Sequence, residues 1–422
     1  MAESTLRETT EEAAAAPRQK GSGTVAALEL MRGLASLDVF LWHLLNYDSG
    51  MPRFPGLFRL AGWSRESVIV FFVLSGYVIA LSQQRLHRPA LPFFKARVKR
   101  IEPLYLIALG AAIVAGWVVN QHCTAWQMIG HLFFLQSYEG SLVTPLPTNG
   151  PLWSLGNEFE FYMAMVLILA LRKPSLMWVW WALALAGMAV RYTGYVSSGV
   201  EGLALEFFAI SPCWLIGYLF AGFASKYNLS LISAATLFLM IPLVSYSDYG
   251  TAIPFSGGFD DLKCFFLALL IVPLIHTLAV RQLFPEAKPI PHGWIIPLAV
   301  YLAVVFWAET HPLQGFHPLP MALLLALPVA FFAIAHLIAL GKPEWPPELG
   351  ALFRRVSLFL GGGSYALYVI HTPILYIVAA LVSNLHLRFA VLIVATSAAV
   401  VLLEYVIQPR AARFIDRIWP GR

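Results

Sequence analysis

Twelve apolar runs divide the chain, and their length limits the folds open to it. They fall near 25–47, 66–83, 101–120, 152–171, 175–190, 202–225, 229–247, 263–280, 293–309, 318–340, 358–382 and 389–407. A helix rises 1.5 Å per residue, so about twenty apolar residues cross the hydrocarbon of a bilayer. Only helices and closed barrels satisfy every backbone N–H and C=O there. These runs show no period-two alternation, so the expected class is all-α: a polytopic membrane bundle of about ten to twelve helices. The segment 126–137 reads as an interfacial helix. Hydrophobic residues make up 59% and charged residues 12% of the chain, well outside the usual balance of a soluble domain.

Basic residues set the expected orientation. With the N-terminus inside and the spans alternating, twenty-one Lys and Arg fall in inside segments and six in outside segments. This asymmetry places both termini in the cytoplasm. The expected organisation is a disordered polar tail at 1–24, a membrane domain at 25–407 and a basic tail at 408–422. The first residues lack a cleavable signal peptide. A net charge of +5 comes from inside loops, so no nucleic-acid partner is implied. Cys123, Cys213 and Cys264 have neither disulfide nor metal-ligand spacing, and no metal site is expected.

Charge inside the spans is the next signal, because a buried charge in lipid is expensive and marks either a structural pair or a site. The first span carries Glu29, Arg32, Asp38 and His43. Arg32 and His43 are eleven residues apart, so they share one helix face at a separation of roughly 16 Å. Glu29 lies one turn before Arg32 and is placed to neutralise it. Ser75-Gly76 in the second span allows close approach of a backbone or a ligand. The following loop holds Arg85, Arg88, Lys95, Arg97, Lys99 and Arg100. On a helix Arg97 and Arg100 project together as a fork for phosphate, with plain inside charge and anionic lipid head groups as the competing readings.

Later spans add three stripes of differing weight. Ser154, Glu158 and Tyr162 are spaced by four and share a face, with Glu158 expected at a depth near that of His43. Ser364, Tyr368 and His371 follow the i, i+4, i+7 pattern. A single intramembrane histidine is often structural. Two, with a glutamate and arginines, favour a site. Glu206, Ser211-Pro212, His276 and His336 read as packing or kinks. Asp248, Asp260 and Asp261 read as solvated charge in an outside loop. Arg410, Arg413, Arg417 and Arg422 read as a membrane-facing basic end.

Five motifs in order resemble those of the bacterial membrane acyltransferase-3 family. Arg32 and His43, ten residues between them, resemble its first-helix motif. Phe71-Phe72-Val73-Leu74-Ser75-Gly76 resembles its Phe-Phe-x-x-Ser-Gly element, and Arg97-x-x-Arg100-Ile101-x-Pro103 its Arg-x-x-Arg element. Trp153-Ser154-Leu155 with Glu158, Phe161 and Tyr162 matches a fourth block. Ser364-Tyr365-x-x-Tyr368-x-x-His371 matches a fifth. The family's late acidic-Pro element is present only as Ile407-Gln408-Pro409, and Thr372 replaces a tryptophan common after the late histidine.

The resemblance implies transfer of an acyl group, usually acetyl, from cytoplasmic acetyl-CoA or another acyl-CoA to a hydroxyl of a glycan or lipid-linked acceptor. It implies a stand-alone protein of the bacterial inner membrane with no permanently bound cofactor. His43 is the implied base or acyl carrier, with Glu158 orienting it or holding the acceptor. Arg32 contacts CoA or developing charge. Arg97, Arg100, Arg32 and Ser75 are assigned to the donor site. His371, Tyr368, Trp153 and Tyr162 are assigned to the substrate cavity. A proton-coupled or solute transporter is the alternative; it would carry an internal repeat, and none is evident between the halves.

Overall fold

The computed structural model describes residues 25–46, 63–137, 142–195, 197–223, 227–245, 261–284, 286–310, 318–340 and 346–420. The expected tail at 1–24 lies outside the described residues, as do Asp248, Asp260 and Arg422. Among the described residues there is no strand. The helices are α1 (Ala26–Asn46), α2 (Ser64–Leu86), α3 (Ala90–Val118), α4 (Ala125–Leu132), α5 (Trp153–Leu171), α6 (Leu176–Tyr192), α7 (Gly199–Ala221), α8 (Leu231–Phe238), α9 (Ile241–Ser245), α10 (Asp261–Leu283), α11 (Ile295–Thr310), α12 (Pro318–Leu340), α13 (Pro347–Leu381), α14 (Leu385–Val401) and α15 (Gln408–Ile418). A π-helical segment, Leu402–Ile407, joins the last two.

Seven of the helical stretches described are long and apolar enough to cross a membrane. Helix α1 has the length but carries three formal charges within it. The shorter apolar helices α6, α8–α9, α11 and α12 coincide with the remaining runs seen in the sequence. The chain is a multi-pass membrane protein. Helix α4 has only eight residues, capped by the reciprocal Thr124–Gln127 box. The run at 229–247 is broken rather than continuous. Pro242 has no N–H to offer Phe238, and α8 ends at that residue.

Six helices close a ring in the order α3, α13, α1, α2, α7, α5. Two of its seams depend on glycine. A Cβ added to Gly76 would lie 2.1 Å from the Trp214 carbonyl oxygen, and one on Gly217 would lie 2.2 Å from that of Val73. The backbones of α2 and α7 therefore touch. Similarly, a Cβ on Gly33 would lie 2.6 Å from that of Leu360, and one on Gly361 would lie 2.5 Å from that of Glu29, where α1 crosses α13. Small residues let membrane helices approach this closely. Gly76→Val is expected to abolish recovery of monodisperse protein in detergent size-exclusion chromatography. A wild-type elution profile for that variant would contradict the seam.

Prolines inside the ring free carbonyls four residues earlier, and side chains take them up, two of the three from distant segments. Pro103 leaves the Lys99 carbonyl, which accepts from the Gln408 amide at 2.8 Å. Pro373 leaves that of Val369, which accepts from Asn149 Nδ2 at 3.0 Å. Pro212 leaves that of Phe208, which accepts from Ser211 Oγ at 3.1 Å. Ser211 thus serves the carbonyl that its neighbour Pro212 releases. Asp261, expected in a solvated loop, instead opens α10. Its carboxylate is buried against Arg191 of α6 at 2.7 Å, because two helix ends meet there.

Candidate functional site

A cavity of about 350 Å³ lies within the ring, and α1, α2, α3, α5 and α13 all contribute to its wall. Arg97 and Arg100 both line it, as their spacing on one helix face requires. The Arg97 guanidinium lies over the rings of Phe93 and Tyr162, at 5.6 and 5.7 Å from their centroids. Its Nε is buried with no hydrogen-bond partner. Arg100 stacks over Tyr365 at 5.3 Å and pairs with Glu404 at 2.5 Å. Glu404 comes from the π-helical segment, a wide turn of the kind often found at functional sites. Gln408, one residue beyond that segment, holds the kinked backbone of α3 through Lys99 and Arg100.

Arg32 enters from α1 and pairs with Glu29 at 3.2 Å, as expected from their separation. Ser75 lines the wall, where its hydroxyl meets Tyr162 Oη at 2.9 Å and accepts from Trp214 Nε1 at 3.3 Å. Tyr162 Oη in turn donates to Glu158. Glu158 therefore stands among the arginines and tyrosines, and Tyr162 is its hydrogen-bond partner. Asp38 points to the other side of α1 and accepts from Ser67 Oγ at 2.7 Å, tying α1 to α2.

At the inner wall Tyr368 Oη meets Ser154 Oγ at 2.6 Å and donates to the Pro151 carbonyl at 2.9 Å. The Tyr368 ring lies 6.2 Å from that of His371. His371 Nε2 is 3.3 Å from His43 Nδ1, although 328 residues separate them. Neither histidine lines the cavity itself; the pair lies beyond Tyr368. Trp153 also stands behind the wall, edge-on to Phe72 at 6.5 Å.

The hydrogen bonds assign both tautomers. A carbonyl can only accept, so each Nδ1 close to one carries the proton. His371 Nδ1 donates to the Leu367 carbonyl at 3.0 Å, which makes its Nε2 an acceptor. His43 Nδ1 donates to the Val39 carbonyl at 2.8 Å and shares that proton with His371 Nε2. This arrangement places the basic lone pair of His43 on Nε2. A proton arriving there strengthens the Nδ1–H bond to His371. The geometry is that of an oriented base.

Four contributors had no role in the sequence analysis. Tyr365 lay within a motif but carried no separate signal. Glu404, Gln408 and Asn149 act on α3 or α13 from segments far along the chain. The prolines were the available signal for Gln408 and Asn149, since each obliges some donor to serve the freed carbonyl.

The ring thus brings arginines to one level and a histidine pair to another. The chain belongs to the acyltransferase-3 family: its acyltransferase-domain model matches residues 25–408. It is 29% identical over 184 residues to acyltransferase MdmB of Streptomyces mycarofaciens, covering 40% of this chain and 45% of that one. It is 25% identical over 228 residues to an O-acetyl transferase of Shigella phage Sf6, covering 49% and 66%. It is 30% identical over 163 residues to exopolysaccharide production protein ExoZ of Rhizobium meliloti, covering 36% and 51%. The chain thus spans from under half to about two thirds of these relatives' lengths. No solved structure matches it.

Proposed function

We propose that the chain is an O-acyltransferase of the bacterial inner membrane, with both termini in the cytoplasm. It moves an acyl group, acetyl in the first instance, from acyl-CoA to a hydroxyl of a glycan or lipid-linked acceptor. The observation that carries this reading is the juxtaposition of the Arg97/Arg100 wall with the His43–His371 pair across Tyr368. The family match and relatives named as acyltransferases support it.

In this reading the CoA phosphates meet Arg97 and Arg100 at the inner end, where guanidinium forks suit phosphate oxygens. Arg32, paired with Glu29, adds a third cation. The pantetheine arm bridges the roughly 16 Å between the levels of Arg32 and His43. His43 Nε2 takes the proton from the acceptor hydroxyl. The oxygen forms a bond to the thioester carbonyl carbon, the C–S bond breaks, and CoA leaves as thiolate. The proton on His43 then passes to that sulfur. Attack by His43 itself, giving an acyl-histidine, is the variant route. Ser75, Tyr162 and Glu158 form a hydrogen-bonded row along the path of the arm.

Purified protein in nanodiscs with radiolabelled acetyl-CoA tests this. Each charge-assisted hydrogen bond is worth about 1.5–3 kcal/mol, or roughly 10- to 100-fold in affinity. Arg97→Ala with Arg100→Ala is therefore expected to weaken donor binding by at least the lower figure. Unchanged acetyl-CoA affinity in that double variant would remove the donor assignment. Label retained on the wild-type chain would select the acyl-enzyme route.

A further inference from the structure

A second and larger cavity, of about 740 Å³, lies across α2 from the arginine wall, between α7, α8, α10 and α11. Its size falls in the range of small-molecule sites, and its lining is almost wholly apolar. Among the described residues lining it, none carries a carboxylate, ammonium or guanidinium group. Phe223, Tyr227 and Ile296 stand exposed at its mouth, on the outward face of the bundle.

The few polar atoms are informative because they lack partners. Asn228 is 4% exposed and its Oδ1 accepts from nothing; Thr277 is fully buried and its Oγ1 is also unpartnered. Both line the cavity. Leu269 lines it too, and Pro273 has no N–H for the Leu269 carbonyl. Elsewhere in the ring Gln408, Asn149 and Ser211 serve the carbonyls that prolines release. No side chain donates to Leu269 among the described residues. His276, also on the wall, is fully engaged by Tyr77 Oη at 3.1 Å and the Tyr227 carbonyl at 2.6 Å. Two acceptors and a hydroxyl thus belong to residues that line an uncharged, apolar chamber, where an unmet hydrogen bond is costly.

We infer that this cavity binds a neutral membrane lipid with a free hydroxyl head. The chain fills the apolar volume, and the hydroxyl donates to Asn228 Oδ1 while accepting from Thr277. The absence of a lining cation rules against a phosphate head. This site is independent of the donor reading and does not need acyl transfer to occur.

The test uses the full chain in phosphatidylcholine nanodiscs with a diazirine-bearing hexadecanol, its methyl ether and a diazirine-bearing phosphatidylglycerol. Photolabelled peptides are mapped by mass spectrometry. The alcohol is expected to label peptides of α10 and α11 around the cavity, about tenfold more than the ether, the value of one buried hydrogen bond. Thr277→Val with Asn228→Leu should erase that preference, and Leu270→Trp should remove cavity labelling by filling the space. The isosteric Thr277→Val alone, checked for wild-type elution, decides the matter if the bulkier variant does not fold. Equal labelling by alcohol and ether, preference for phosphatidylglycerol, or no labelling at these peptides would overturn the inference.

Discussion

His43→Ala is expected to lose acyl transfer by about two to four orders of magnitude, the usual contribution of a general base, while keeping its affinity for acetyl-CoA. The split follows from position. Arg97, Arg100 and Arg32 line the cavity, whereas His43 lies beyond Tyr368 against His371. Removing the imidazole therefore leaves the arginine wall intact. His371→Phe should lower kcat by less than His43→Ala and shift the acid limb of the pH–rate profile. It keeps an aromatic ring in the space but deletes one of the two acceptors of the His43 Nδ1–H, leaving the Val39 carbonyl. Steady-state CoA release at saturating acceptor, with donor binding measured separately, reads both effects. Transfer in His43→Ala above one tenth of wild type would end its assignment as the base. Loss of donor affinity in the same variant would mean that the pair shapes the wall instead.

The largest effect on stability is expected at the opposite kind of site. Arg191 and Asp261 join α6 to α10 at 2.7 Å with side chains only 6% and 5% exposed. Asp261→Ala takes the carboxylate from a buried guanidinium, and breaking such a pair costs about 3–5 kcal/mol. The thermal midpoint in detergent should fall clearly, with little change in kcat for the protein that remains folded. Replacing both partners, Arg191→Met with Asp261→Leu, should recover much of the loss, because two apolar side chains leave no buried charge. A midpoint for Asp261→Ala equal to that of wild type would show the pair to be energetically idle.

Local spacing made much of the site legible. Helical geometry alone put Arg97 with Arg100, joined Glu29 to Arg32, and set Ser154, Glu158 and Tyr162 on one face; all of these line the cavity. The twelve apolar runs located the helices other than α4 and α15, apart from the break that Pro242 imposes between α8 and α9. What spacing could not supply was partner choice across the ring. His43 and His371 meet only because Gly33 and Gly361 let α1 and α13 close upon each other. Glu158 was placed near His43 by depth, yet its hydrogen bond is to Tyr162, since azimuth around the ring depends on which helices are neighbours. Asp261 looked solvated because nothing local shows that a helix begins there or that Arg191 ends another. Glu404 gave no signal in the sequence; a π-helical turn brings it to Arg100 across a separation of 304 residues.

That resident carboxylate changes the character of ligand capture at the arginine wall. Arg100 already has an anion, so in the proposed reading a donor phosphate exchanges with Glu404 rather than filling a bare positive site. Exchange of one anion for another releases less net charge than simple neutralisation, and acetyl-CoA affinity should vary only gently with ionic strength. Glu404→Gln should bind the donor more tightly, with a steeper salt dependence, and should release spent CoA more slowly. The wild-type chain carries its own eluent, a carboxylate poised to return to Arg100 as the product departs.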